Sequence, residues 1–173
     1  MSNELEVVRR VINEHHTVRD SIKLVGDQLT DLEVFIALRA TDSEWVPEKL
    51  DNFPEKLKGL QRKMSALQEG LINHSKFEEE CLWPILGDLL TEAVLIEHRE
   101  LGKEVTRVKS MVDDNNFTGL NWREQVQKQW QIRDALRDVL AQAEGHAARE
   151  DAILYMVEKA LEARAKQPQQ VPA

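Results

Sequence analysis

Cysteine and tyrosine each occur once in this 173-residue chain, proline five times and glycine seven times. A lone cysteine excludes an internal disulfide framework and fits a reducing cytoplasm, the location the sequence leads one to expect. So few turn formers and aromatics argue against a strand-rich protein and for long helices. No apolar run approaches the roughly 20 residues of a membrane span. The opening MSNELEVVRR lacks the apolar core of a signal peptide. Basic charge is also short: 23 Lys and Arg against 31 Asp and Glu leave a net charge of -8. An acidic surface disfavours nucleic acid and anionic membranes as partners. The chain has no glycine-rich phosphate loop, no nucleophile triad and no basic aromatic stripe.

What is present is helical periodicity. Apolar residues recur at three-and-four spacing in four segments. The first runs from about Asn3 to Arg39 through Val8, Val11, Ile12, Val18, Ile22, Val25, Leu29, Leu32 and Ile36. A polar stretch, TDSEWVPEKLDN, follows with room for a short helical turn. The second spans roughly Phe53 to Leu86, with Pro84 expected to kink it or end it. The third starts between Asp88 and Thr91 and stops near DDNN at 113–116. Asn121 with Glu124 resembles a capping box that opens the fourth, which reaches about Ala165. These features predict an all-α chain: one up-down-up-down antiparallel four-helix bundle over residues 1–165, then a disordered tail at 166–173.

The apolar stripes are interrupted by the wrong residue types. His15 falls between Ile12 and Val18; His74 and Glu78 follow Leu67 and Leu71; His98 precedes Leu101; His146 and Glu150 follow Leu140 and Ala143. Residues 73–84, NHSKFEEECLWP, slide onto 145–156, GHAAREDAILYM, with His on His and Glu on Glu. Burying a carboxylate costs several kcal/mol or more unless a cation compensates it. No lysine shares the stripe with Glu78 or Glu150, and Arg19 and Arg149 point away from it by helical phase. A network of hydrogen bonds among the six side chains is one solution; a metal site better explains why only these donor types gather. Residues four apart on a helix lie about 40° and 6 Å from each other, so His-x-x-x-Glu reaches one centre. Two such helices offer two carboxylates able to bridge metals about 3.5–4 Å apart. Two imidazoles and two carboxylate oxygens per ion leave room for a bridging oxide or hydroxide and one small molecule. Mixed imidazole and carboxylate ligation suits iron; manganese and zinc are further candidates.

The pieces EHHTVRD (14–20), HSKFEEECLWP (74–84), EHRELG (97–102) and HAAREDAILY (146–155) resemble the hemerythrin-like, or HHE cation-binding, family. The resemblance implies a non-haem di-iron centre in a four-helix bundle, which binds or reacts with dioxygen. It implies that His15 and His74 serve one iron, His98 and His146 the other, and that Glu78 and Glu150 bridge. The oxygen-carrying members have a further histidine one turn after that of the third helix. Gly102 stands there in this chain, with Glu100 and Glu104 poorly phased to replace it. The departure weakens a simple oxygen carrier and leaves three readings. They are a sensor or binder of dioxygen or a related ligand, an oxidoreductase consuming peroxide or nitric oxide, and a metal-stapled helical module without catalysis. A sensor would need a separate protein partner.

Lesser candidates flank the ligand set. Glu79 and Asp151 follow the two glutamates, and Glu14 and Glu97 precede two of the histidines. Each is either a hydrogen-bond acceptor for a ligand imidazole or a solvated acid. Cys81 reads as a small core residue, Trp83 and Tyr155 as caps on the core, and His16 as a surface residue.

Overall fold

A computed structural model describes residues 3–40, 53–114 and 119–166. The described residues form four α-helices and no strand: α1 (Asn3–Ala40), α2 (Phe53–Cys81), α3 (Trp83–Asp113) and α4 (Trp122–Lys166). The stretch at 41–52, the tail at 167–173, and the side chains of Leu32 and Ile36 lie outside the description.

Each helix packs against two others, α1 on α2 and α4, and α3 on α2 and α4. Partners across α1 and α4 run in opposite numerical order: Arg9 with Glu158, His15 with Asp151, Arg19 with Glu144, Glu33 with Arg137. The same holds for α2 and α3, where Gln61 meets the Val112 carbonyl, Gln68 meets Thr106 and Glu79 meets His98.

The joint between α2 and α3 is tighter than the sequence suggested. A proline at position 84 has no N–H for the carbonyl one turn back, and its ring clashes there, so α2 ends at Cys81 rather than Leu86. Pro84 then sits in the first turn of α3, where no donor is needed. Gly87 interrupts that turn at φ 73°, ψ 172°, a region essentially reserved for glycine. The Thr91 hydroxyl donates to the Gly87 carbonyl at 2.9 Å, and the regular helix runs on from there, as expected. At the other joint the capping box forms. The Asn121 amide donates to Glu124 at 2.7 Å, and the Glu124 amide donates to the Asn121 side chain at 3.1 Å.

The stripes meet as two apolar clusters. The larger includes Val18, Val25, Leu60, Met64, Leu67, Leu101, Val108, Leu136 and Ala143. The smaller holds Val8, Val11, Ile12, Leu82 and Leu154. Along every helix the interrupting histidines and glutamates fall between the two clusters. Leu82 and Leu154, the matched residues of the two repeats, close the far side at 2% and 1% exposure. The next residues in line, Trp83 and Tyr155, are 50% and 44% exposed and do not cap the core. One residue is a 100° turn of the helix, which carries both rings outward. Cys81 is partly buried, and His16 is exposed.

Candidate metal centre

His15, His74, Glu78, His98, His146 and Glu150 form one polar layer, and none is more than 6% exposed. They fall into two sets of four. His15, His74, Glu78 and Glu150 can each offer a donor atom within 4.8 Å of the others, and so can Glu78, His98, His146 and Glu150. The glutamates belong to both sets. Glu78 Oε1 lies 3.3 Å from His15 Nε2 and 3.2 Å from His74 Nε2, while its Oε2 lies 3.1 Å from His98 Nε2. Glu150 Oε2 is 3.1 Å from His15 Nε2 and 3.4 Å from His146 Nε2, and its Oε1 is 3.7 Å from His98 Nε2. Within each set the two imidazoles meet edge to face, His15 with His74 at 4.7 Å and His98 with His146 at 4.9 Å between ring centres.

The outer nitrogen of every imidazole is held. Nδ1 of His15 donates to Asp151 at 2.7 Å, of His74 to Glu14 at 3.1 Å, of His98 to Glu79 at 3.1 Å, and of His146 to Glu97 at 2.9 Å. An ionised carboxylate only accepts, so each Nδ1 carries a proton, and Nε2 is the nitrogen that faces the layer. All four lesser candidates are therefore hydrogen-bond acceptors. The partner, however, is not the neighbour in sequence. Glu14 serves α2, Glu79 serves α3, Glu97 serves α4 and Asp151 serves α1, so the links pass once around the four helices. A residue adjacent to a ligand is rotated 100° from it, toward the next helix. Sequence alone does not say which neighbour that is.

Arginines steady three of these carboxylates. Arg10 pairs with Glu14 at 2.8 Å, Arg19 with Asp151 at 2.7 Å, and Arg149 with Glu97 at 2.8 Å. Arg19 and Arg149 do point away from the apolar stripe, as phase requires, and end on the outer ring of acids.

The interior side tells a different story. His74 Nε2, His98 Nε2, His146 Nε2, both oxygens of Glu78 and Glu150 Oε1 are buried without a hydrogen-bond partner. Native proteins rarely leave a buried polar atom unsatisfied, because each costs about 1–3 kcal/mol, more if charged. Here six converge on one layer. In the metal-free protein, protons carry some of the charge. Burial opposes charging His15, but contact with Glu150, Glu78 and Asp151 outweighs it and raises the imidazole to about 10. Burial likewise opposes charge on Glu78, yet His15, His74 and His98 hold it far below the usual carboxylate range. His74 and His98 are raised against their burial, mainly by Glu78. Four inward imidazole nitrogens, freed of their protons, and two shared carboxylates are a donor set that suits divalent transition metals, with the outer acceptors orienting the rings.

The hemerythrin HHE cation binding domain matches residues 6–157, the span from the first apolar turn of α1 to Val157 of α4. The chain belongs to the hemerythrin HHE family. No curated protein and no solved structure matches it. Against the hemerythrin pattern the third helix departs at Gly102, where a Cβ would meet nothing within 4 Å. Neither nearby acid fills the place. Glu100 is exposed in a groove beside His146, and Glu104 pairs with Arg107.

Proposed function

We propose that this chain is an up-down-up-down antiparallel four-helix bundle holding two iron ions, and that it binds or reacts with dioxygen or a related small ligand. The observation that carries the reading is the pair of four-donor sets sharing Glu78 and Glu150, with six inward atoms lacking partners. His15 and His74 would hold one ion, His98 and His146 the other, with the two glutamates between them. Such an ion pair, when bound, supplies redox chemistry and open coordination positions for small ligands. The protein residues do the rest. The outer carboxylates fix each imidazole by its Nδ1 proton. The two apolar clusters keep bulk water from the layer. The space at Gly102 favours a second reading, a peroxide- or nitric-oxide-consuming oxidoreductase, over a closed, purely structural metal staple. A cytoplasmic location fits the single cysteine. No described helix is long and apolar enough to cross a membrane.

Metal analysis of the purified protein, with its absorption spectrum in air and with azide, tests the reading. About two irons per chain and an azide-sensitive charge-transfer band are expected, both lost in His98→Ala and Glu150→Ala. Stoichiometric iron with a spectrum indifferent to oxygen and azide would leave only the staple. Peroxide turnover no faster than free iron would remove the oxidoreductase.

A further inference from the structure

His15 and His98 are counterparts in the two halves. Each precedes an apolar residue by three, and each is held by the acid that follows a shared glutamate, Asp151 after Glu150 and Glu79 after Glu78. One turn beyond His15 stands Arg19; one turn beyond His98 stands Gly102. Arg19 lies across the α1/α4 interface. Its Nη1 donates to Asp151 at 2.7 Å and its Nε to Glu144 at 2.9 Å, outside a His15 that is fully buried. At the α2/α3 interface both members of that clasp are missing: glycine replaces the arginine, and Ile72, two residues before His74, replaces Glu144. Glu79 is the one carboxylate of the outer ring that no arginine meets among the described residues.

A cavity of about 300 Å³ occupies the place, with His98, Glu79 and Gly102 in its wall. Leu71, Leu101 and Val105 form an apolar floor, and Lys76 and Arg99 also line it. Arg99 has no carboxylate partner among the described residues, its Nε donating only to the Leu95 carbonyl. A water's share of liquid volume is about 30 Å³, so a two- or three-atom ligand fits with room to spare. The grooves that border His74 and His146 also have a carboxylate in the wall, but there Glu14 and Glu97 are each tied to an arginine, as Glu79, among the described residues, is not.

We infer that the α2/α3 cavity beside Gly102 is the mouth by which small neutral or anionic ligands reach the metal centre on its His98 side, while Arg19 closes the matching place beside His15. This rests on the proposed metal centre. Arg99 would draw anions to this opening, as would Lys76, whose Nζ lies 4.0 Å from Glu80.

The test transplants the plug. Gly102→Arg gives Glu79 the partner that Asp151 already has, and Gly102→Leu fills the same space without charge in case the arginine does not fold. Crystals of wild type under xenon should show the gas in the cavity, and crystals of either variant should not. In iron-loaded protein, azide association followed by stopped flow should slow by at least about tenfold in the variants at unchanged iron content. An α2/α3 cavity empty of xenon in wild type overturns the inference. So does an azide rate unchanged in a filled variant. Failure of the metal reading looks different: no iron and no azide band in wild type, with xenon still reporting whether Gly102 opens the cavity.

Discussion

Glu14 precedes His15 in the chain, yet its carboxylate holds Nδ1 of His74, 3.1 Å away on the next helix. Its counterpart Glu97 precedes His98 and holds His146 at 2.9 Å. The two halves repeat this crossing, so orientation of each imidazole depends on a helix other than its own.

Glu14→Gln and Asp151→Asn should therefore weaken metal binding without unfolding the protein. The amide can still accept from Nδ1 but carries no charge to strengthen the imidazole as a donor. A loss of about 10–100-fold in affinity is expected. Competition against a coloured chelator measures it, and an affinity equal to wild type would mean the outer acids are ornamental.

The metal-free protein should be most stable in mildly acidic solution. His15 is raised from 6.5 to about 10, with His74 and His98 raised too. Groups raised on folding stabilise fully below their unfolded value, and the gain is lost as pH climbs toward the folded one. Glu78 is lowered from 4.5, so its contribution is present above that pH and fades as pH falls. Denaturant midpoints of chelator-treated protein should peak between these reference values, 4.5 and 6.5, and fall steadily toward pH 10. A midpoint that rises from pH 6.5 to 9 would contradict the charge arrangement described.

Gly87→Ala should cost about 1–3 kcal/mol, because φ 73°, ψ 172° is a conformation a Cβ resists. No neighbour lies within 4 Å of where that Cβ would be, so the cost is backbone strain and not a clash. Thermal melts decide this; a neutral substitution would mean the joint relaxes freely.

Leu154→Ala removes a side chain that is 1% exposed and seals the small cluster beneath the polar layer. A loss of about 2–5 kcal/mol is expected. Water admitted beneath Glu150 should also speed metal release, read as faster transfer to chelator. Destabilisation with an unchanged release rate would show that the cluster does not shield the layer.

The fold was legible where one physical rule dominated. Three-and-four spacing gave the helices, the Asn121 and Glu124 pair gave the start of α4, and the six interrupting residues gave the layer. What escaped the sequence was direction about a helix axis. Asp151 and Arg19 are one turn or more from any obvious partner in sequence, and only the packing of α1 against α4 brings them together. Trp83 and Tyr155 failed for the same reason: a matched position in two repeats says that both residues behave alike, not that both face inward. Pro84, expected to kink α2 or end it, does end it, but at Cys81 and not Leu86, because its ring and the freedom of Gly87 together split the segment.

Because the outer links pass from α1 to α2 to α3 to α4 and back, a growing polypeptide cannot finish the layer early. With three helices made, His74 and His98 already have their clasps, but His15 awaits Asp151 and neither donor set has Glu150. Ion capture by the proposed centre would thus wait on α4, and a product ending before α4 would hold the metal loosely or not at all.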